Sequence, residues 1–157
     1  MTDSIGSSLK TPPMKKPMVP SQLQDMPFTS NESEPRLVLC IDDELIGLRV
    51  RTLLLERAGY SVLSAHEGTE GIDIFSREPV QAVVLDYAMP GMNGAEVASK
   101  MREIKPGIPI LLLSAYLGLP KEVTSLVDVY MTKGEGAPML LKKLGNMLSG
   151  NPTESKP

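Results

Sequence analysis

The chain has 157 residues, 41% of them apolar, with a formal net charge of −3, enough for one ordinary domain and a tail. The slight acidic balance argues against a broad basic surface for nucleic acid, and a single cysteine excludes an intrachain disulfide. No stretch is apolar for long enough to insert in a membrane, and Met1–Lys16 has no signal-peptide pattern, so the expected location is cytoplasmic.

Residues 1–35 are rich in Pro, Ser and Met, with prolines at 12, 13, 17, 20, 27 and 35. Each proline fixes φ and removes a donor, so a disordered tail is predicted, with Lys15 and Lys16 simply solvated. At Arg36 the texture changes. Arg36–Ile41 reads as a buried strand, with Cys40 as a small core residue. Leu45–Ala58 reads as a helix whose apolar residues are Leu45, Leu48, Leu53, Leu55 and Ala58, stopped by Gly59. A strand is predicted over Tyr60–Ala65 and a short helix over Glu70–Arg77. Ala82–Asp86 (AVVLD) is a third strand, and Asn93–Ile104 a helix with Val97, Met101 and Ile104 on one stripe. Ile108–Leu113 is a fourth strand, followed by a weak helix over Pro120–Leu126. Val127–Met131 is a fifth strand and Pro138–Leu148 a last helix. Residues 36–149 thus form the expected domain, and 150–157 a short disordered tail.

Five short apolar strands alternating with helices predict a parallel sheet covered on both faces. The strand order 2-1-3-4-5 is one common solution, which the pattern alone does not select. In such sheets ligands bind beyond the carboxyl ends of the strands. Those ends carry Asp42, Asp43 and Glu44 after the first strand, Asp86 at the third, Ser114 at the fourth and Lys133 after the fifth. Carboxylates crowded together repel unless a cation intervenes, and an all-oxygen set suits a hard ion such as Mg²⁺. With the ion in place a carboxylate can attack a phosphoryl group and become an acyl phosphate. A hydroxyl and an ammonium then serve the remaining phosphoryl oxygens. Asp42 and Asp43 also have a simpler reading as caps of the helix that starts near Leu45.

The motifs LVLCIDDE (Leu37–Glu44), VVLDYAMPGMNG (Val83–Gly94), LLLSA (Leu111–Ala115) and YMTK (Tyr130–Lys133), in this order, resemble the receiver domain of bacterial response regulators. The resemblance runs from about Arg36 to Leu148. It implies an α/β, flavodoxin-like, doubly wound five-stranded sheet and a stand-alone, chemotaxis-regulator-like switch in a two-component phosphorelay. In that family's terms Asp86 is the phosphoacceptor. Asp43 is a direct Mg²⁺ ligand, Asp42 its water-mediated companion, and Ala88 gives a backbone carbonyl. Ser114 and Tyr130 are the switch residues, Lys133 binds the phosphoryl group, and Pro90, Gly91 and Gly94 form the loop leading away from the site. The implied partners are a sensor histidine kinase or a histidine phosphotransfer protein and a downstream protein. The resemblance further implies no direct nucleic-acid contact, and a phosphorylation-dependent dimer as one form of output. No enzyme activity is implied beyond self-phosphorylation and self-dephosphorylation.

The chain departs from the family in two places. Gly134 follows Lys133 where proline is usual, so a cis peptide is not expected there, and the loop Gly134–Gly136 is expected to be mobile. The interval between Ser114 and Lys133 leaves little room for a fourth helix. Other readings are a phosphate-independent pseudo-receiver scaffold, a phosphate sink, and a flavin-binding electron carrier of like architecture. The last requires a phosphate-cradling loop after the first strand, where this chain has Asp-Asp-Glu.

Overall fold

Aliphatic runs bounded by polar turns form five strands in the computed structural model, which describes residues 34–150. They are β1 (Leu37–Ile41), β2 (Ser61–Ala65), β3 (Ala82–Asp86), β4 (Ile110–Ser114) and β5 (Val129–Thr132). All pair in parallel, in the order β2-β1-β3-β4-β5. Helices α1 (Leu45–Arg57), α2 (Gly68–Arg77), α3 (Gly94–Ile104), α4 (Lys121–Thr124) and α5 (Gly136–Leu148) connect and follow the strands. The architecture is the expected doubly wound one. The expected tails, with Lys15 and Lys16, lie outside the described residues except at their inner ends. No helix among the described residues is long and apolar enough to cross a membrane.

Successive strand side chains point to opposite faces, so a strand covered on both sides must be apolar throughout. Leu39, Ile41, Val83, Leu85, Ile110 and Leu112 pack on one face against Phe75 of α2 and Val97, Ala98 and Met101 of α3. Val38, Cys40, Val84, Leu111, Leu113 and Met131 pack on the other against Leu48 and Leu55 of α1 and Leu140 and Leu144 of α5. At about 1.5–3 kcal/mol for each large side chain taken from water, these two layers supply most of the favourable burial term.

Several sequence expectations need correction. Of the predicted apolar set on α1, Leu48 and Leu55 are buried, while Leu45, Leu53 and Ala58 are exposed. The buried stripe follows the seven-residue step, and Arg51 and Thr52, between those two leucines, are partly buried. Asn93 lies outside α3 as its N-cap. Its side chain accepts from the Glu96 amide while Glu96 accepts from the Asn93 amide, a reciprocal capping box. The fourth helix shrinks to the single turn α4.

The segment after β5 forms a defined, hydrogen-bonded turn. Lys133–Glu135 form a 3₁₀ turn, and the Glu135 carboxylate accepts from the Thr132 amide at 2.9 Å. Lys143 of α5 pairs with the same carboxylate at 3.1 Å. The backbone bond from Thr132, aided by Lys143, holds the Glu135 carboxyl below its usual range. Gly136 then turns the chain at φ +88°, a conformation costly for any residue with a Cβ. The described residues contain no cis peptide.

At the other end of the sheet Arg102 of α3 joins the chain on either side of β4. Its guanidinium donates to the carbonyls of Leu126, Pro106 and Ile108 and to the Asp128 carboxylate, which also accepts from the Ile110 amide.

Candidate functional site

β1 and β3 are neighbours, so Asp42 and Asp86 emerge side by side at the carboxyl edge. The two core layers beneath leave Asp42 fully buried and Asp86 3% exposed. With exposed Asp43 they bring one carboxylate oxygen each to within 4.8 Å of the others. Lys133 reaches across from the end of β5. Its Nζ lies 2.8 Å from Asp86 Oδ1 and 3.5 Å from Asp42 Oδ2.

The four ties on Asp42 and Asp86 differ in kind. Asp42 Oδ1 accepts from the Glu44 amide at 2.9 Å, and Oδ2 accepts from Arg51 Nη1 at 3.0 Å. Asp86 Oδ1 has the Lys133 ammonium close by, yet it is buried without a hydrogen-bond partner of good geometry. Burial raises the Asp86 carboxyl above its ordinary pKa. The Lys133 contact lowers it, and Asp42 and Asp43 add to the rise. Burial also opposes the Lys133 ammonium, but Asp86 and Asp42 outweigh it, so its pKa is raised. A buried carboxylate oxygen paired only to the Lys133 ammonium and facing two more carboxylates belongs to a donor set for a hard cation with oxygen ligands.

The capping reading of Asp42 and Asp43 does not describe the geometry. The N-cap of α1 is Glu44, and no side chain caps that helix end. Ser114, buried at the end of β4, accepts the Tyr116 amide on its Oγ at 2.9 Å. Half-buried Tyr130 donates its hydroxyl to the Tyr116 carbonyl. Burial raises the Tyr130 phenol pKa, Ser114 lowers it and Glu135 adds to the rise. The Tyr116 ring meets Tyr87 edge-on at 6.4 Å. A chain of contacts thus links Ser114 at the end of β4 to Tyr130 on the edge strand.

The loop after β3 brings Ala88 and Pro90 to the exposed rim, and Gly91 turns it at φ +79°. At Gly94 the chain returns so closely that a Cβ would stand 2.6 Å from the Asp86 carbonyl oxygen and 2.8 Å from Tyr87 Cα. The structure therefore gathers Asp42, Asp43, Asp86 and Lys133 in one place. Ser114 sits one strand away, Tyr130 lies farther out, and Ala88, Pro90 and Gly91 form the rim. The sequence reading did not include Arg51. Its signal was the helix position three after Leu48 and four before Leu55, which an amphipathic α1 would give to an apolar residue.

The family described as Response regulator receiver domain matches residues 38–144. The "Uncharacterized transcriptional regulatory protein YkoG" of Bacillus subtilis is 35% identical over 122 residues, which is 76% of this chain and 54% of that protein. The chain therefore spans about half the length of that relative. The response regulator TrrA of Thermotoga maritima, solved in complex with Mg²⁺-BeF, is 31% identical, with a TM-score of 0.68 over 72% of this chain and 99% of that one. A CheY-like receiver domain protein of Methanospirillum hungatei superposes with a TM-score of 0.70 over 74% of this chain and 96% of that one. Its 24% identity speaks to the fold alone.

Proposed function

The chain belongs to the response regulator receiver domain family of two-component systems, and from that premise we propose that residues 36–149 are a switch operated by phosphorylation of Asp86. The observation that carries the proposal is the meeting of three carboxylate oxygens within 4.8 Å, with Lys133 Nζ 2.8 Å from one of them. The donor would be the phosphohistidine of a sensor histidine kinase or phosphotransfer protein. An Asp86 oxygen attacks phosphorus, the P–N bond breaks, and the electron pair leaves with the imidazole.

Asp42, Asp43, Asp86 and the Ala88 carbonyl would hold Mg²⁺, the ion found with TrrA. When bound it would supply positive charge that offsets the repulsion between an attacking carboxylate and a phosphoryl group. Lys133, already at Asp86, is placed to donate to a phosphoryl oxygen. The Ser114 hydroxyl has a proton to give another. Moving Oγ toward Asp86 would break its bond from the Tyr116 amide and loosen the carbonyl that holds the Tyr130 hydroxyl. That sequence would carry charge arriving on Asp86 to the β4–β5 edge, where a downstream protein or a second copy would read it. We place this switch in the cytoplasm and assign it no DNA contact of its own. Its chemistry is confined to its own aspartyl phosphate.

Intact-mass spectrometry after incubation with acetyl phosphate tests the proposal. One phosphoryl adduct should form with Mg²⁺, vanish with chelator, and be absent in Asp86→Asn. No adduct, under conditions that label another receiver, would leave a phosphate-independent scaffold.

A further inference from the structure

Arg51 occupies a position that the pattern of α1 assigns to the core. It lies three residues after Leu48 and four before Leu55, both buried against the sheet. Its side chain is 13% exposed and its Nη1 is 3.0 Å from Asp42 Oδ2, an oxygen wholly removed from water. One turn earlier stands Gly47. A Cβ there would lie 3.7 Å from Arg51 Nη2 and 3.9 Å from Asp42 Oδ2, so a longer side chain would crowd the guanidinium's approach. A guanidinium is always charged and loses less hydration than an ammonium on entering such a site.

We propose that Arg51 is an internal counter-ion of the acidic cluster, a positioning residue that holds Asp42 in place and weakens the cluster's hold on a divalent cation. The proposal rests on the reading of Asp42, Asp43 and Asp86 as the Mg²⁺ site. Two effects of Arg51 oppose each other. Fixing the Asp42 carboxylate favours a cation, while an adjacent positive charge repels it. Asp42 keeps other ties without Arg51: the Glu44 amide on Oδ1 at 2.9 Å and Lys133 at 3.5 Å from Oδ2. Repulsion therefore decides the sign. Because Arg51 adds to Lys133, the site takes up Mg²⁺ in a higher concentration range than its three carboxylates alone would set. Phosphoryl acceptance becomes correspondingly sensitive to free Mg²⁺.

The test is a titration of the full chain with MgCl₂ at fixed ionic strength, followed by the ¹⁵N–¹H shifts of Asp42, Asp43 and Asp86, with no phosphodonor present. Arg51→Gln, neutral and polar, should bind Mg²⁺ at least roughly fivefold tighter than wild type, the lower bound that a unit charge on a divalent ion several ångströms away sets if the dielectric were that of water. Arg51→Lys, which keeps the charge, should stay within about twofold of wild type. Arg51→Met provides a second neutral side chain if Arg51→Gln loses its dispersed spectrum. Equal or weaker Mg²⁺ binding by a folded neutral variant overturns the counter-ion role. A tighter Arg51→Lys overturns it too. Absence of any saturable shift in wild type overturns the metal site itself, a separate failure.

Discussion

Replacing Gly94 by alanine should both destabilise the domain and disturb Asp86. The new Cβ would stand 2.6 Å from the Asp86 carbonyl oxygen, 2.8 Å from Tyr87 Cα and 3.0 Å from Leu112 Cδ1. Two of these atoms are backbone and cannot rotate aside. Ordinary contact requires a retreat of about 0.8 Å on the oxygen side, in an interior packed as densely as a crystal. Forcing one extra methyl into such a place costs about 1–3 kcal/mol, and fixed backbone neighbours put the cost at the upper end. Better helix propensity returns at most about 1 kcal/mol, and less at a first helical residue. A net loss of about 2 kcal/mol lowers the melting temperature by roughly 6–12 °C for a domain of this size. Gly134→Ala is the control, since nothing lies within 4 Å of its Cβ position and its φ is not positive. Melting curves by circular dichroism measure both variants. At a temperature where Gly94→Ala is folded, its adduct should also form more slowly with acetyl phosphate, because the displaced carbonyl belongs to the acceptor residue. A Gly94→Ala protein melting within about 2 °C of wild type would refute the steric argument.

The remaining predictions concern ionisation and access. Burial, with Asp42 and Asp43, leaves the Asp86 carboxyl above its ordinary pKa despite Lys133. The cost of ionising it is absent below the ordinary carboxylate range and fully present above the raised value. Asp86→Asn should therefore melt above wild type at pH 7, with the gain shrinking toward pH 4; an equal gain at both pH values contradicts this sign. Desolvation, offset by Arg51 and reinforced by Asp42, pushes the Cys40 thiol up to about 12. A thiol reagent should then label Cys40 at the rate the domain opens, faster in urea, whereas complete labelling within minutes in native buffer would show a local route to it.

Much of this was legible in the sequence because short-range rules governed it. The runs LVLCI, AVVL and ILLL are apolar at every position since both faces of their strands are covered, and the carboxylates and lysine at the strand ends pointed to residues that the fold does bring together. What escaped depended on geometry between distant segments. Leu45 and Leu53 fit a helical apolar pattern, yet α1 presents its seven-residue stripe to the sheet, so both face outward. Gly134 and Gly136 pointed to a loose loop, but Glu135 bonds back to Thr132 and across to Lys143. Arg51 carried no motif, and its role emerges once its guanidinium is seen against Asp42.

The single turn α4 has a consequence for the order in which the molecule comes apart. Four helical residues bury too little surface to resist fluctuation alone, and Ala115–Gly118 before them are all exposed. The contacts of Tyr116 with Ser114, Tyr130 and Tyr87 tie this stretch to the sheet. Its amides should exchange with deuterium through small openings long before those of β1 and β3, whose exchange awaits global unfolding. A weakly anchored unit thus adjoins Ser114, and rearranging it would leave the rest of the sheet intact.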